Sequence, residues 1–203
     1  MTTMDVTPDN TNKVAYLMGR IFHPYLICIP TVFILLSDMP LGEAVKWALL
    51  VLSIILTPLM LVSAYIEMRH RRYIYQRSTR GPIYLVFFLS VLTCLALLVI
   101  FNAPRILIAC FVTLVIWAPI QLLINRYVTK ISTHTGVVAT CSTGLMLAGK
   151  LNHPLLIAFL VLIAIMTMWS RVETKNHTVP QAFLGFLVGA LAVLIVFPLM
   201  LTP

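Results

Sequence analysis

Charge is what this 203-residue sequence has least of: Asp, Glu, Lys and Arg make up 10% of it, against 61% hydrophobic residues. A soluble domain is about half apolar and about a quarter charged. A water-soluble globular domain is therefore excluded, and most side chains must face lipid or another apolar helix. Acid is scarcer than base, with six Asp and Glu against fourteen Lys and Arg, for a net charge of +8. In a soluble protein that balance would point to nucleic acid. Here the basic residues lie between apolar runs, so lipid head groups and membrane topology account for them and no nucleic-acid partner is expected. The four cysteines, Cys28, Cys94, Cys110 and Cys141, sit within apolar runs at no metal-ligand spacing. They read as small apolar residues, and no metal or other cofactor is expected. A cleavable leader is not expected either: residues 1–12 are polar, and no small-residue cleavage site follows the first apolar run. No soluble domain, long linker or internal repeat is visible, and nothing fixes an oligomeric state.

What is present is a series of apolar runs, each near the ~20 residues that cross a bilayer. They fall at 21–37, 45–66, 83–102, 106–125, 133–149, 154–170 and 179–201. The fold class expected is all-α, a polytopic transmembrane helix bundle of six to seven spans. Residues 1–19 form a polar lead and 20–203 a single transmembrane domain. Pro24 and Pro30 fall in the first span, and Pro58, Pro119 and Pro198 in others, which membrane helices tolerate. With seven spans, the N-terminus and the loops at 67–82, 126–133 and 170–178 share one side. Three of the fourteen basic residues, Lys46, Arg105 and Lys150, fall on the other side and the rest on this one. The positive-inside rule then makes the N-terminal side cytoplasmic, in the cell membrane. The three most polar connections share that side and can converge on one pocket.

Those connections hold the residues that can carry chemistry. In the first, Arg77 and Arg80 are three apart, just before Gly81 and Pro82. On a helical turn they share a face and aim two donors at one anion. The bland reading of the neighbouring Arg69, Arg71 and Arg72 is a topology signal. The second cluster runs Arg126 to Gly136 and holds Lys130, Ser132, Thr133 and His134. Ser132 or Thr133 is placed to cap the fifth span, and a helix N-terminus attracts anions. The third runs from Trp169 to Gly189 and holds Ser170, Arg171, His177 and Gln181. Arg offers a planar fork for phosphate oxygens, and His can attack phosphorus or move a proton. Thr178-Val-Pro-Gln181 also reads as a capping box, which gives Gln181 a purely structural role. Gly185 and Gly189 form a small-xxx-small pair, most simply a helix-packing face. His23, before Pro24, and His153, before Pro154, are not placed in the site.

The order R-x-x-R-x-P, K-x-S-x-H and S-R-x5-H-x3-Q, over roughly 77–189, resembles the three-part signature of the type 2 phosphatidic acid phosphatase superfamily. These are membrane lipid phosphatases related to the vanadium haloperoxidases. The resemblance is clearest in the third motif. The middle one, Pro-Ser-Gly-His in the family, maps to Ile131-Ser132-Thr133-His134, and the first maps loosely to Arg77, Arg80 and Pro82. It implies that His177 is the nucleophile, forming a phosphohistidine, and that His134 protonates the leaving alkoxide. Arg77, Arg80 and Arg171, with Lys130, Ser132, Thr133 and Ser170, would hold the phosphoryl oxygens. The implied substrate is a lipid phosphate or a polyprenyl diphosphate, hydrolysed without a metal.

Two departures mark a divergent subfamily. The family's Asp, four residues after the nucleophile, is Gln181 here; an amide can orient a ring but cannot offset its positive charge. Two spans separate the first and second motifs, where many members have a loop. Three function classes follow: a membrane phosphatase, a weak or inactive relative that binds or moves a phospholipid, and a small transporter. No ionisable residue lies clearly mid-span, where coupling sites usually sit, which counts against the last.

Overall fold

The computed structural model describes residues 12–70 and 80–201, and their regular structure is helical throughout. Eight helices follow in order: α1 (Lys13–Ile21), α2 (Pro24–Leu35), α3 (Leu41–His70), α4 (Arg80–Ile100), α5 (Arg105–Tyr127), α6 (Thr133–Leu147), α7 (Pro154–Glu173) and α8 (Val179–Leu201). Among the described residues, six stretches are long and apolar enough to cross a membrane, with α1 and α2 together making the first. The chain is a multi-pass membrane protein. Large apolar side chains lie exposed along the outer faces, among them Leu61, Leu85, Phe159, Leu162 and Ile195, as expected of a surface whose solvent is lipid.

The first span is broken. Helix starts at Lys13, inside the stretch read as a polar lead, because Asn12 caps it: Oδ1 accepts from the amides of Val14 and Ala15. It stops at Phe22, and Pro24 restarts it as the first residue of α2, where a missing N–H costs nothing. His23 caps this second start, its Nδ1 accepting from the Tyr25 amide at 3.4 Å. His153 and Pro154 repeat the device at the start of α7.

α6 differs from the sequence expectation of a full span. It has fifteen residues, about 22 Å at 1.5 Å per residue, against a hydrocarbon core of about 30 Å. Thr135, Gly136, Val138, Ala139 and Gly144 are buried on it, so it runs inside the bundle, between α2, α7 and α8. α8 comes closest. A Cβ on Gly185 would sit 2.7 Å from Thr135 Oγ1, and one on Gly189 would meet the Gly136 backbone at 3.0 Å. The two helices touch backbone to backbone, the geometry that small residues permit in membranes.

The two ends of the bundle are built differently. Beyond the C-termini of α2, α4 and α6 the core is solid, with Leu36, Trp47, Leu98, Ala103 and Leu107 packed together. There Lys150, after α6, pairs with Asp38, after α2. Toward the starts of α2 and α6 the core opens into a cavity.

Candidate functional site

Three helix ends meet around that cavity: the starts of α2 and α6 and the end of α7, with the turn that follows it. Its volume is about 390 Å³. Most of the wall is hydrocarbon, from residues such as Leu52, Ile55, Leu56, Phe87 and Leu114. One end is polar, where His134, Arg171, His177, Gln121, Thr133 and His23 line it.

The spacing of the third motif has a backbone cause. α7 ends in a Schellman turn, with Lys175 in the left-handed region at φ 55. The amide of Lys175 bonds the carbonyl of Val172, and that of Asn176 bonds the carbonyl of Arg171. The amide of His177 reaches the same Arg171 carbonyl at 3.1 Å. One carbonyl therefore fixes how Arg171 and His177 sit relative to each other. Both side chains are buried, at 6% and 9% exposure, and both line the cavity. A buried guanidinium beside a buried imidazole is costly to maintain in hydrocarbon surroundings, which makes the pair a candidate anion site.

The second motif is held by capping. Ser132 caps α6, its Oγ accepting from the Thr135 amide at 3.4 Å. Its own amide bonds the Gln181 carbonyl, and Thr135 Oγ1 donates to the Ala182 carbonyl at 2.8 Å. These bonds tie the first turn of α6 to the first turn of α8. They set His134, the second residue of α6, on the wall of the cavity that His177 also lines. Thr133 Oγ1 accepts from Gln121 Nε2 at 2.8 Å and lies 3.2 Å from the Tyr84 hydroxyl.

Comparison with protein-family models, with curated proteins and with solved structures finds no match. Chemistry at this site therefore rests on its own geometry.

The remaining predicted site residues separate into two groups. His134, Arg171, His177 and Thr133 share the cavity wall; Ser170, Lys130, Ser132 and Gln181 do not line it. Ser170 is fully buried and donates to the Ala15 carbonyl at 2.7 Å, which docks α1 on α7. Lys130 Nζ donates to the Asn176 carbonyl at 2.6 Å and braces the turn before His177. Gln181 accepts from the Thr178 amide through Oε1 and donates to Thr129 Oγ1 through Nε2, both at 3.2 Å. Its amide thus closes half of the capping box and holds the neighbouring turn. Arg77 lies outside the described residues. Arg80 opens α4 one turn before Tyr84, and its side chain is also outside them.

Three residues at or near the polar end were not placed in the site from the sequence. Gln121 is fully buried, and Asn125, one turn on, accepts from the Ile131 amide at 3.2 Å. Together they shape the approach to α6. Paired amides four apart near the end of an apolar run are the signal that points to them. The third is His23.

Proposed function

We propose that this chain is an integral-membrane phosphatase, a divergent member of the type 2 phosphatidic acid phosphatase superfamily, acting on a lipid phosphate or an isoprenoid diphosphate. One observation carries the reading: two histidines and a buried arginine, from two separate stretches of sequence, line the polar end of an otherwise apolar cavity. That shape suits an amphiphile with an anionic head and a hydrocarbon tail.

In this reading Arg171 holds the phosphoryl oxygens with its planar fork. A nitrogen of His177 attacks phosphorus, the P–N bond forms, and the bond from phosphorus to the leaving oxygen breaks. His134 gives that oxygen its proton, so an alcohol departs, or an isoprenoid monophosphate where the substrate is a diphosphate. Neutral His134 then takes a proton from water, whose oxygen displaces His177 and releases inorganic phosphate. Positioning and charge stabilisation supply most of the rate. The resemblance would add Arg77 and Arg80 to the anion site. We infer the same orientation as the charge bias does: cell membrane, with the N-terminus and the site facing the cytoplasm.

A second reading keeps the pocket and loses the reaction, leaving a protein that binds or moves a phospholipid. Gln181 favours it, because both ends of its amide engage Thr178 and Thr129 and no acid stands at that position to offset a cationic His177.

The test is phosphate release by purified protein in detergent, over lipid monophosphates and isoprenoid diphosphates, with chelator present. Release that survives chelator and falls at least about a hundredfold in both His177→Ala and His134→Ala is the expected result. No release from any substrate, by protein with an intact melting transition, would move the assignment to the second reading.

A further inference from the structure

We infer that His23 is a third histidine of the anion site, acting as an N–H donor to a phosphoryl oxygen of the bound ligand. The inference rests on the proposed phosphate chemistry and adds a residue outside its three motifs.

His23 sits in the break between α1 and α2, far in sequence from every other site residue. Its ring stands edge to face against that of His134, with centroids 5.1 Å apart and planes at 90°. It lines the same cavity as Arg171 and His177. α1, immediately before it, lies against the arginine: a Cβ on Gly19 would be 3.5 Å from Arg171 Nη1.

The cap fixes which ring nitrogen carries the proton. Nδ1 accepts from the Tyr25 amide, so it holds a lone pair and no hydrogen. A neutral imidazole with Nδ1 unprotonated has its proton on Nε2. As the cap of α2, His23 is therefore a donor through Nε2 and never an acceptor there. None of the hydrogen bonds among the described residues uses that N–H. An obligate donor beside a buried guanidinium, at the polar end of an apolar cavity, matches an acceptor-rich anion such as a phosphate monoester.

Two roles of one ring can be separated by substitution. Asn reproduces the Nδ1 acceptor and is a strong helix cap, but it is too short to supply the Nε2 donor. Gln reproduces the reach of the donor and is a poor cap. Binding is read by calorimetry in neutral detergent with dodecyl phosphate, and with inorganic phosphate as a separate arm; thermal melting is read alongside. His23→Asn is expected to weaken dodecyl phosphate binding about tenfold at an unchanged melting temperature, the size of one hydrogen bond to a charged group. His23→Gln is expected to bind within about threefold of wild type and to melt several degrees lower. Stronger binding of dodecyl phosphate than of inorganic phosphate assigns the site to a lipid head group, and equal binding assigns it to free phosphate; the role of His23 holds in either case. If His23→Asn binds both ligands as wild type does, His23 is only a cap and the inference fails, while the phosphatase reading stands. If folded wild-type protein binds neither, both fall together.

Discussion

Ser170 and Arg171 are adjacent in sequence and carry different duties. The Ser170 hydroxyl is buried and bonded to the Ala15 carbonyl, whereas the Arg171 side chain faces the cavity. Ser170→Ala should cost about 1 kcal/mol, the usual value of a buried hydrogen bond, seen as a small drop in melting temperature. Its rate of phosphate release should stay within about threefold of wild type. Arg171→Lys keeps the charge and loses the planar fork, so it should melt normally and lose about two orders of magnitude in rate. The reverse pattern, a rate lost in the serine variant and kept in the lysine variant, would return Ser170 to the anion site. At this scale the sequence was legible where chemistry is rare. His and Arg in an apolar chain announce themselves, and His134, Arg171 and His177 do share one pocket. Ser170, Lys130 and Gln181 looked the same on paper. Hydroxyl, ammonium and amide groups serve caps and braces as readily as ligands, and only partner distances tell the two apart. His23 was passed over because a His before a Pro at a helix start is explained by capping alone; its edge-to-face contact with His134 joins residues more than a hundred positions apart.

At the scale of elements, the site depends on how closely α6 and α8 approach. Ser132, His134 and the turn around His177 are in register only because Gly185 and Gly189 let the two backbones touch. Gly189→Val puts a branched side chain against the Gly136 backbone, with no flexible neighbour to yield. Overpacking of this kind costs about 1–3 kcal/mol. The variant should melt markedly lower and lose phosphate release, whereas Gly42→Val, where a Cβ meets nothing within 4 Å, should melt as wild type does. Equal melting of the two variants would mean that α6 and α8 are not held by this crossing. The helices themselves were readable from run length, since hydrocarbon thickness sets a minimum that few other structures meet. Two departures had local causes. α1 was hidden because a short amphipathic helix, with Lys13 and Arg20 among apolar residues, averages out near neutral beside the polar residues 1–12, although Ala15 and Gly19 mark its packing face. α6 passed as a full span because its apolar character continues into the loop, while the helix ends at Leu147 ahead of Gly149 at φ 69.

For the whole molecule, the informative contrast is between a solid end and a hollow end. A membrane bundle has little reason to leave apolar side chains facing a void, since buried apolar groups gain by contact on every side. In the proposed function, the apolar cavity of about 390 Å³ that ends in histidines and arginine is the space for a ligand's tail. Cys28 on α2 lines this space and is half-buried. Cys28→Phe adds volume where volume is missing, so it should fold and melt at or above the wild-type temperature. Its effect on turnover should depend on the substrate. A long-chain lipid phosphate needs the cavity, and its KM should rise about tenfold as tail contacts worth about 0.8 kcal/mol per methylene are displaced. A short, water-soluble ester such as butyl phosphate needs only the polar end and should be hydrolysed as by wild type. An unchanged KM for the long-chain substrate would mean that the tail stays in the bilayer and only the head group enters. A loss on both substrates would mean that the phenyl ring disturbs the histidines themselves.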